Sequence, residues 1–183
     1  FDVIVVFATP ILFGGFILAH NVVALAGGAD FAASAVPFRW LLFAIWFIFL
    51  GNLLGRAIIA LDEQKKAAWI YFGGMVFNIA ANIIVIPIYS YNGAAATTVF
   101  TELIITGLLI VLAVKKMEYF PKVGVLMKVI FLSLVMGVFI YFAKNISVFL
   151  VIPSAILVYL SLVFLFKIFD KQNLGFLIQK QGE

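Results

Sequence analysis

Six apolar runs, each about as long as a bilayer core is thick, dominate this chain. They cover roughly Val3 to Ala26, Arg39 to Leu61, Ala67 to Tyr89, Ala94 to Val114, Gly124 to Ala143 and Ile146 to Phe166. A helix needs about 20 apolar residues to cross about 30 Å of hydrocarbon, and within that slab every backbone N–H and C=O must find its partner inside the protein. Runs this long and continuous meet that demand as helices, whereas barrel strands would alternate in character and be about half the length. The expected fold class is therefore all-α, a polytopic membrane protein with six transmembrane helices. The spans use up nearly all of the 183 residues, of which 66% are hydrophobic and 11% charged, so no soluble domain fits beside them.

Composition also narrows the chemistry. With no cysteine there is no disulfide, thiol nucleophile or iron–sulfur cluster, and a single histidine, His20, cannot build a histidine-rich metal site. No cofactor and no metal are expected. Phosphate-cradling glycine loops, nucleophile elbows and paired catalytic carboxylates are missing from the sequence, which argues against an enzyme. The net charge of +4 belongs with a membrane surface rather than with nucleic acid in so apolar a chain. The chain opens at Phe1, directly in an apolar run, and is expected to be a fragment of a longer polypeptide.

Lysine placement orients the spans. Lys65, Lys66, Lys115, Lys116, Lys122, Lys167, Lys171 and Lys180 fall on one side of a six-span arrangement, and only Arg39 and Lys144 on the other. Because basic residues are retained on the cytoplasmic face, both chain ends, the Asp62 to Lys66 connector and the Lys115 to Val123 connector are expected inside, in a cell (inner) membrane, with the C-terminal tail cytoplasmic. Tyr89 and Tyr91 suit the outer aromatic belt; Trp69, Tyr71, Tyr119 and Phe120 suit the inner one.

Polar residues inside hydrocarbon are costly, and they usually face the bundle interior or a water-filled path. Glu102 is the only carboxylate well inside a span, and with Thr98 and Thr106 it makes a stripe at four-residue spacing. Gly74, Asn78 and Asn82 make a second stripe on the preceding helix. By helical rise Asn82 and Glu102 sit at a common depth and are placed to meet across the hairpin. The pair is open to two readings: a transport-path wall with a protonatable switch, or a structural hydrogen bond between helices. Asn52 and Arg56, again four apart, offer a cation for a phosphate-bearing substrate or a side chain that snorkels to headgroups. His20 is a further candidate on the first helix, with a packing role as the plainer reading. Gly51 and Gly55 form a G-x-x-x-G contact motif, and Pro10 and Pro153 are candidate kinks.

The run from Asn82 through Ile86-Pro87, the Ser90-Tyr91-Asn92-Gly93 turn, Ala94-Ala95-Ala96-Thr97-Thr98 and Glu102 resembles the polysaccharide-biosynthesis flippases (Wzx-type) of the multidrug, oligosaccharidyl-lipid and polysaccharide exporter superfamily. Asn82, Pro87, Gly93, Ala94, Ala95, Thr98 and Glu102 match that family's pattern; Thr97 replaces its usual Ala, and Ser90 stands where a turn Gly is common. Gly28, Phe31, Ala35, Leu41 and the 61–66 stretch resemble it too, and beyond Lys122 only the hydropathy fits. The resemblance implies two six-helix bundles around a central cavity that opens alternately inward and outward. Residues 1–114 would supply the last four helices of the second bundle, and 115–183 two peripheral helices and a cytoplasmic tail. The implied substrate is a polyprenyl-pyrophosphate-linked oligosaccharide carried to the outer leaflet, and the implied partners are membrane lipids and the missing N-terminal bundle of the same polypeptide. The alternatives are an ion-coupled exporter of drugs or metabolites from the same superfamily and a non-transporting membrane scaffold.

Overall fold

The structure is a computed structural model that describes residues 1–117 and 123–168. It is helical, with no strand among the described residues. The chain runs through α1 (Asp2–Gly27), a short 3-10 turn (Ala29–Ser34), α2 (Ala35–Ala60), α3 (Gln64–Met117), α4 (Val123–Ala143) and α5 (Val148–Leu165). These five helices are long and apolar enough to cross a membrane. Their outward faces carry large apolar side chains throughout, among them Phe7, Phe49, Trp69, Phe142, Phe149 and Phe164, as a surface solvated by lipid requires.

Punctuation in the sequence accounts for the breaks. Gly28 takes a φ of 82° after α1, a left-handed conformation that costs glycine little, and Pro37 falls in the first turn of α2, where its missing N–H has no helical acceptor to lose. Between α2 and α3 the backbone reverses through Asp62, and Glu63 takes over the end of the turn by pairing with both Lys66 (2.8 Å) and Lys116. The shared carboxylate ties the start of α3 to its far end. Lys122, Tyr119, Phe120, Lys171 and Lys180, on which the orientation argument partly rests, lie outside the described residues.

Two of the six expected spans are joined into one element. At 54 residues a straight α3 would be about 81 Å long, far more than a bilayer. It is not straight: Ser90 alone leaves helical geometry (φ 52°, ψ −140°), and residues at matching distances from it on either side face each other. Gly74 lies against Ile105, Asn78 bonds Thr101, and Gly93 lies against Val85. Thus α3 is a helical hairpin with arms 64–89 and 91–117. The expected four-residue loop is compressed into a single residue, with Tyr91, Asn92 and Gly93 already helical. Gly93 permits this, because a Cβ there would stand 2.9 Å from the Val85 carbonyl oxygen.

The helices pack as a row. Among the described elements α3 touches only α2; α2 touches α1; α1 touches α4 and α5, which also pack on each other. Glycines set the close approaches: Gly15 of α1 receives Leu42 of α2, Gly14 receives Met136 and Ile140 of α4, and Gly137 of α4 receives Ile17. Two apolar cores result. One gathers Val5, Val6, Leu18, Leu50, Leu132, Ile140 and Val151 around α1; the other gathers Leu54, Ile58, Ala67, Ile105, Leu109 and Ala113 between α2 and α3.

Candidate functional site: a polar seam in the α3 hairpin

Polar side chains line the contact between the two arms of α3. Asn78 donates from Nδ2 to Thr101 Oγ1 (2.9 Å), Asn82 donates to Asn78 Oδ1 (2.9 Å), and Thr101 donates to its own helix at the Thr97 carbonyl (2.8 Å). The seam is a directed chain of hydrogen bonds. At its upper end Asn82 Oδ1 is buried with no donor facing it, an arrangement that leaves an acceptor unsatisfied at a cost of about 1–3 kcal/mol. Asn82 also borders an open groove of roughly 410 Å³ on the outer face of the first arm, formed with Ile79, Ile83, Ile86 and Pro87.

The stripe that meets Gly74, Asn78 and Asn82 is not Thr98–Glu102–Thr106 but Thr97–Thr101–Ile105, one helical step of 100° away. Asn82 and Glu102 therefore make no hydrogen bond with each other, contrary to the expected meeting across the hairpin. Thr97 and Thr101 carried the same four-residue spacing as their neighbours, and both are buried. That spacing was the available signal for Thr101, which the sequence reading passed over.

The other stripe turns toward α2. Thr106 donates to the Phe47 carbonyl (3.0 Å), a Cβ on Gly51 would stand 3.0 Å from Thr106 Oγ1, and the Tyr71 hydroxyl closes on Gly55 and donates to the Gly51 carbonyl at 3.4 Å. The G-x-x-x-G motif is thus a close-contact surface for both arms of α3. Glu102 sits one turn above Thr106 on this same stripe, half-buried, within electrostatic reach of the Tyr71 hydroxyl and without a hydrogen bond or ion pair among the described residues. Thr98, a turn further, spends its hydroxyl on the Ala94 carbonyl (2.9 Å).

The remaining candidates are not gathered into this seam by any hydrogen bond. Asn52 and Arg56 are exposed on α2, and His20 is exposed on α1. Arg39 does not reach outward: its Nε donates to the Phe16 carbonyl (3.2 Å) and its guanidinium lies 5.4 Å over the Phe16 ring. At the opposite end of the hairpin, the Lys116 and Lys66 ammonium groups beside Glu63 hold its carboxyl below the ordinary value. No group of three His, Asp or Glu side chains comes together among the described residues. Set against protein-family models, curated proteins and solved structures, the chain matches none.

Proposed function

We propose that this chain is part of a membrane transporter that carries a lipid-linked oligosaccharide across the bilayer by alternating access, and that its α3 hairpin forms part of the wall of the transport path. The reading counts α3 as two crossings, six in all, and rests on one observation above others. Two of the residues that carry the flippase resemblance are polar groups left open inside the apolar spans: Asn82, whose Oδ1 is an unsatisfied acceptor at the end of the seam, and Glu102, on the neighbouring stripe, whose carboxyl has no hydrogen bond or ion pair among the described residues. Such groups are expensive in hydrocarbon unless something polar visits them. A sugar-bearing head group brings hydroxyl donors, and an open state in which the arms or α2 part would expose Asn82 and Glu102 to it. Arg56, exposed nearer the lysine-rich end, has the planar fork that suits a pyrophosphate. The second bundle that completes the cavity belongs to this proposal as a partner in the same polypeptide.

The mutual satisfaction of Asn78 and Thr101 favours a second reading, in which the seam is interhelical glue and the chain a scaffold. Glu102→Gln separates the two. In the full-length transporter reconstituted in proteoliposomes, head-group translocation should slow and lose its dependence on pH, with protein amount unchanged, because a neutral amide copies the protonated acid in shape and hydrogen bonding. Unchanged rate and unchanged pH dependence would remove Glu102 from the path.

A further inference from the structure

A proline within a helix removes one hydrogen bond, because the carbonyl four residues earlier loses its donor. In α1 that proline is Pro10 and the orphaned carbonyl is Val6. Both lie in a stretch where water cannot substitute. The missing donor comes from the far end of the chain: the Tyr159 hydroxyl of α5, 4% exposed, donates to the Val6 oxygen at 2.7 Å. Trp46 Nε1 of α2 donates to Thr9 Oγ1 at 3.2 Å, so the turn that ends at Pro10 is held by two neighbouring helices. On α4, fully buried Ser133 lies beside the Tyr159 hydroxyl, and its own Oγ has no hydrogen-bond partner among the described residues. The phenol therefore has one acceptor engaged and a second one waiting.

We propose that Tyr159 is a two-position latch on a proline hinge. Bound to the Val6 carbonyl it closes the gap left by Pro10 and holds α5 against α1; turned to Ser133 Oγ it keeps a partner while freeing α1 to bend at Pro10. In both positions the phenol keeps an acceptor, and an intermediate phenol with none is disfavoured in an apolar core; the second position leaves the Val6 carbonyl without its donor, so the position on Val6 is the resting one. The hinge transmits what it does, because Gly14 and Gly15, immediately beyond Pro10, are the points of closest approach to α4 and α2. A change of bend in α1 shifts the helix that stands between the α2–α3 unit and the α4–α5 pair. This device stands on its own geometry and does not depend on what is transported.

The chain has no cysteine, so spin labels can be placed at will. Val3 of α1 and Leu165 of α5, both exposed, report the gap between the short arm of α1 and α5. In lipid nanodiscs the full chain should give one narrow distance. Tyr159→Phe should broaden it and shift it by about 3–4 Å, the sweep of a lever about 10 Å long through a bend of about 20°. Adding Pro10→Ala returns an N–H to Val6 and should restore a narrow distribution. Ser133→Ala removes the waiting acceptor and should leave the distribution as narrow as in the native chain or narrower. In reversible unfolding, Tyr159→Phe should lower the folding equilibrium constant by roughly 3- to 20-fold in the native background and by under about twofold beside Pro10→Ala. An unshifted distance in Tyr159→Phe, or the same loss in both backgrounds, overturns the latch. If Tyr159→Phe alone fails to insert, Pro10→Ala must rescue it, and absence of rescue overturns the latch equally.

Discussion

Replacing Ser90 by glycine should make the protein more stable, an outcome that a helical residue in the middle of an apolar run would reverse. Ser90 sits at φ 52°, ψ −140°, where an L side chain crowds its own backbone, and such a residue costs of order 1–3 kcal/mol. Glycine takes this conformation freely but gives up more chain entropy on folding, about 0.5–1 kcal/mol relative to alanine. The Ser90 side chain is exposed and makes no hydrogen bond among the described residues, so its removal forfeits little else. The balance is a gain of about 0.5–2 kcal/mol, a shift of roughly two- to thirtyfold in the folding equilibrium. Were residue 90 helical, the same change would cost about 1 kcal/mol through helix propensity. The sign alone decides. Reversible unfolding in mixed detergent micelles, comparing the midpoints of the native chain, Ser90→Gly and Ser90→Val, measures it. The valine variant should lie below the native chain, since a β-branched side chain is the least tolerated at positive φ. A Ser90→Gly chain that is neutral or weaker than the native one would refute the single-residue reversal, and with it the hairpin register on which the polar seam depends.

Three further outcomes follow from the same geometry. A double-mutant cycle of Asn78→Leu with Thr101→Val should return a coupling of about 0.6–1.7 kcal/mol in unfolding measurements, and the same cycle on Asn82 and Glu102 should return none. Glu63 is held below its ordinary value of 4.5 by Lys116 and Lys66. The stability it lends is therefore complete above about pH 4.5 and is lost as the pH falls through the lowered value; a pH series of unfolding midpoints should lose that acid step in Glu63→Gln, and added salt should shrink it. In intact cells a cysteine at Asn92 should be labelled from outside and one at Lys115 from inside, as the lysine distribution requires. Labelling of Asn92→Cys from the cytoplasmic side alone would invert the arrangement.

How far the sequence reaches into this structure depends on which physical signal a residue carries. Length and continuity of the apolar runs announce helices that can cross a membrane, because the bilayer imposes one demand on all of them. The turn at Ser90 to Gly93 was legible as a reversal, although not as a one-residue one. The G-x-x-x-G of α2 was legible as a contact surface, since small residues at that spacing have few other uses. The face of each helix was harder to read. In a soluble helix polarity marks outside and apolarity inside; here lipid and core are equally apolar, so residues 97 and 101 could not be told from 98 and 102 by pattern alone. Which threonine meets Asn78 is decided by α2, whose glycines draw Thr106 and Tyr71 to themselves and so turn the remaining face of the second arm toward the first.

The partnership of Val6 and Tyr159 lay beyond any local signal, for the two residues are 153 positions apart. Pro10 could be recognised as a candidate kink, and the carbonyl it orphans in an apolar medium implies a donor from somewhere else. What it cannot specify is the donor, because every Tyr, Trp, Ser and Thr in a neighbouring span is a chemical possibility. Topology makes the choice. The chain builds α2 and α3 on one side of α1 and then returns α4 and α5 to the other. A helix antiparallel to α1 thereby brings Tyr159 to the depth of Val6, while Val151, Ala155 and Val163 of the same face fill the apolar contact around it. The orphaned carbonyl thus acts as a selector: of the polar groups that α5 carries, only one at the depth of Val6 closes the ledger of backbone hydrogen bonds. Ser154, a turn and a half away, spends its hydroxyl on its own helix at the Leu150 and Val151 carbonyls. For helices whose surfaces offer no polar outside to read, such unsatisfied backbone groups are the features that assign one neighbour to another.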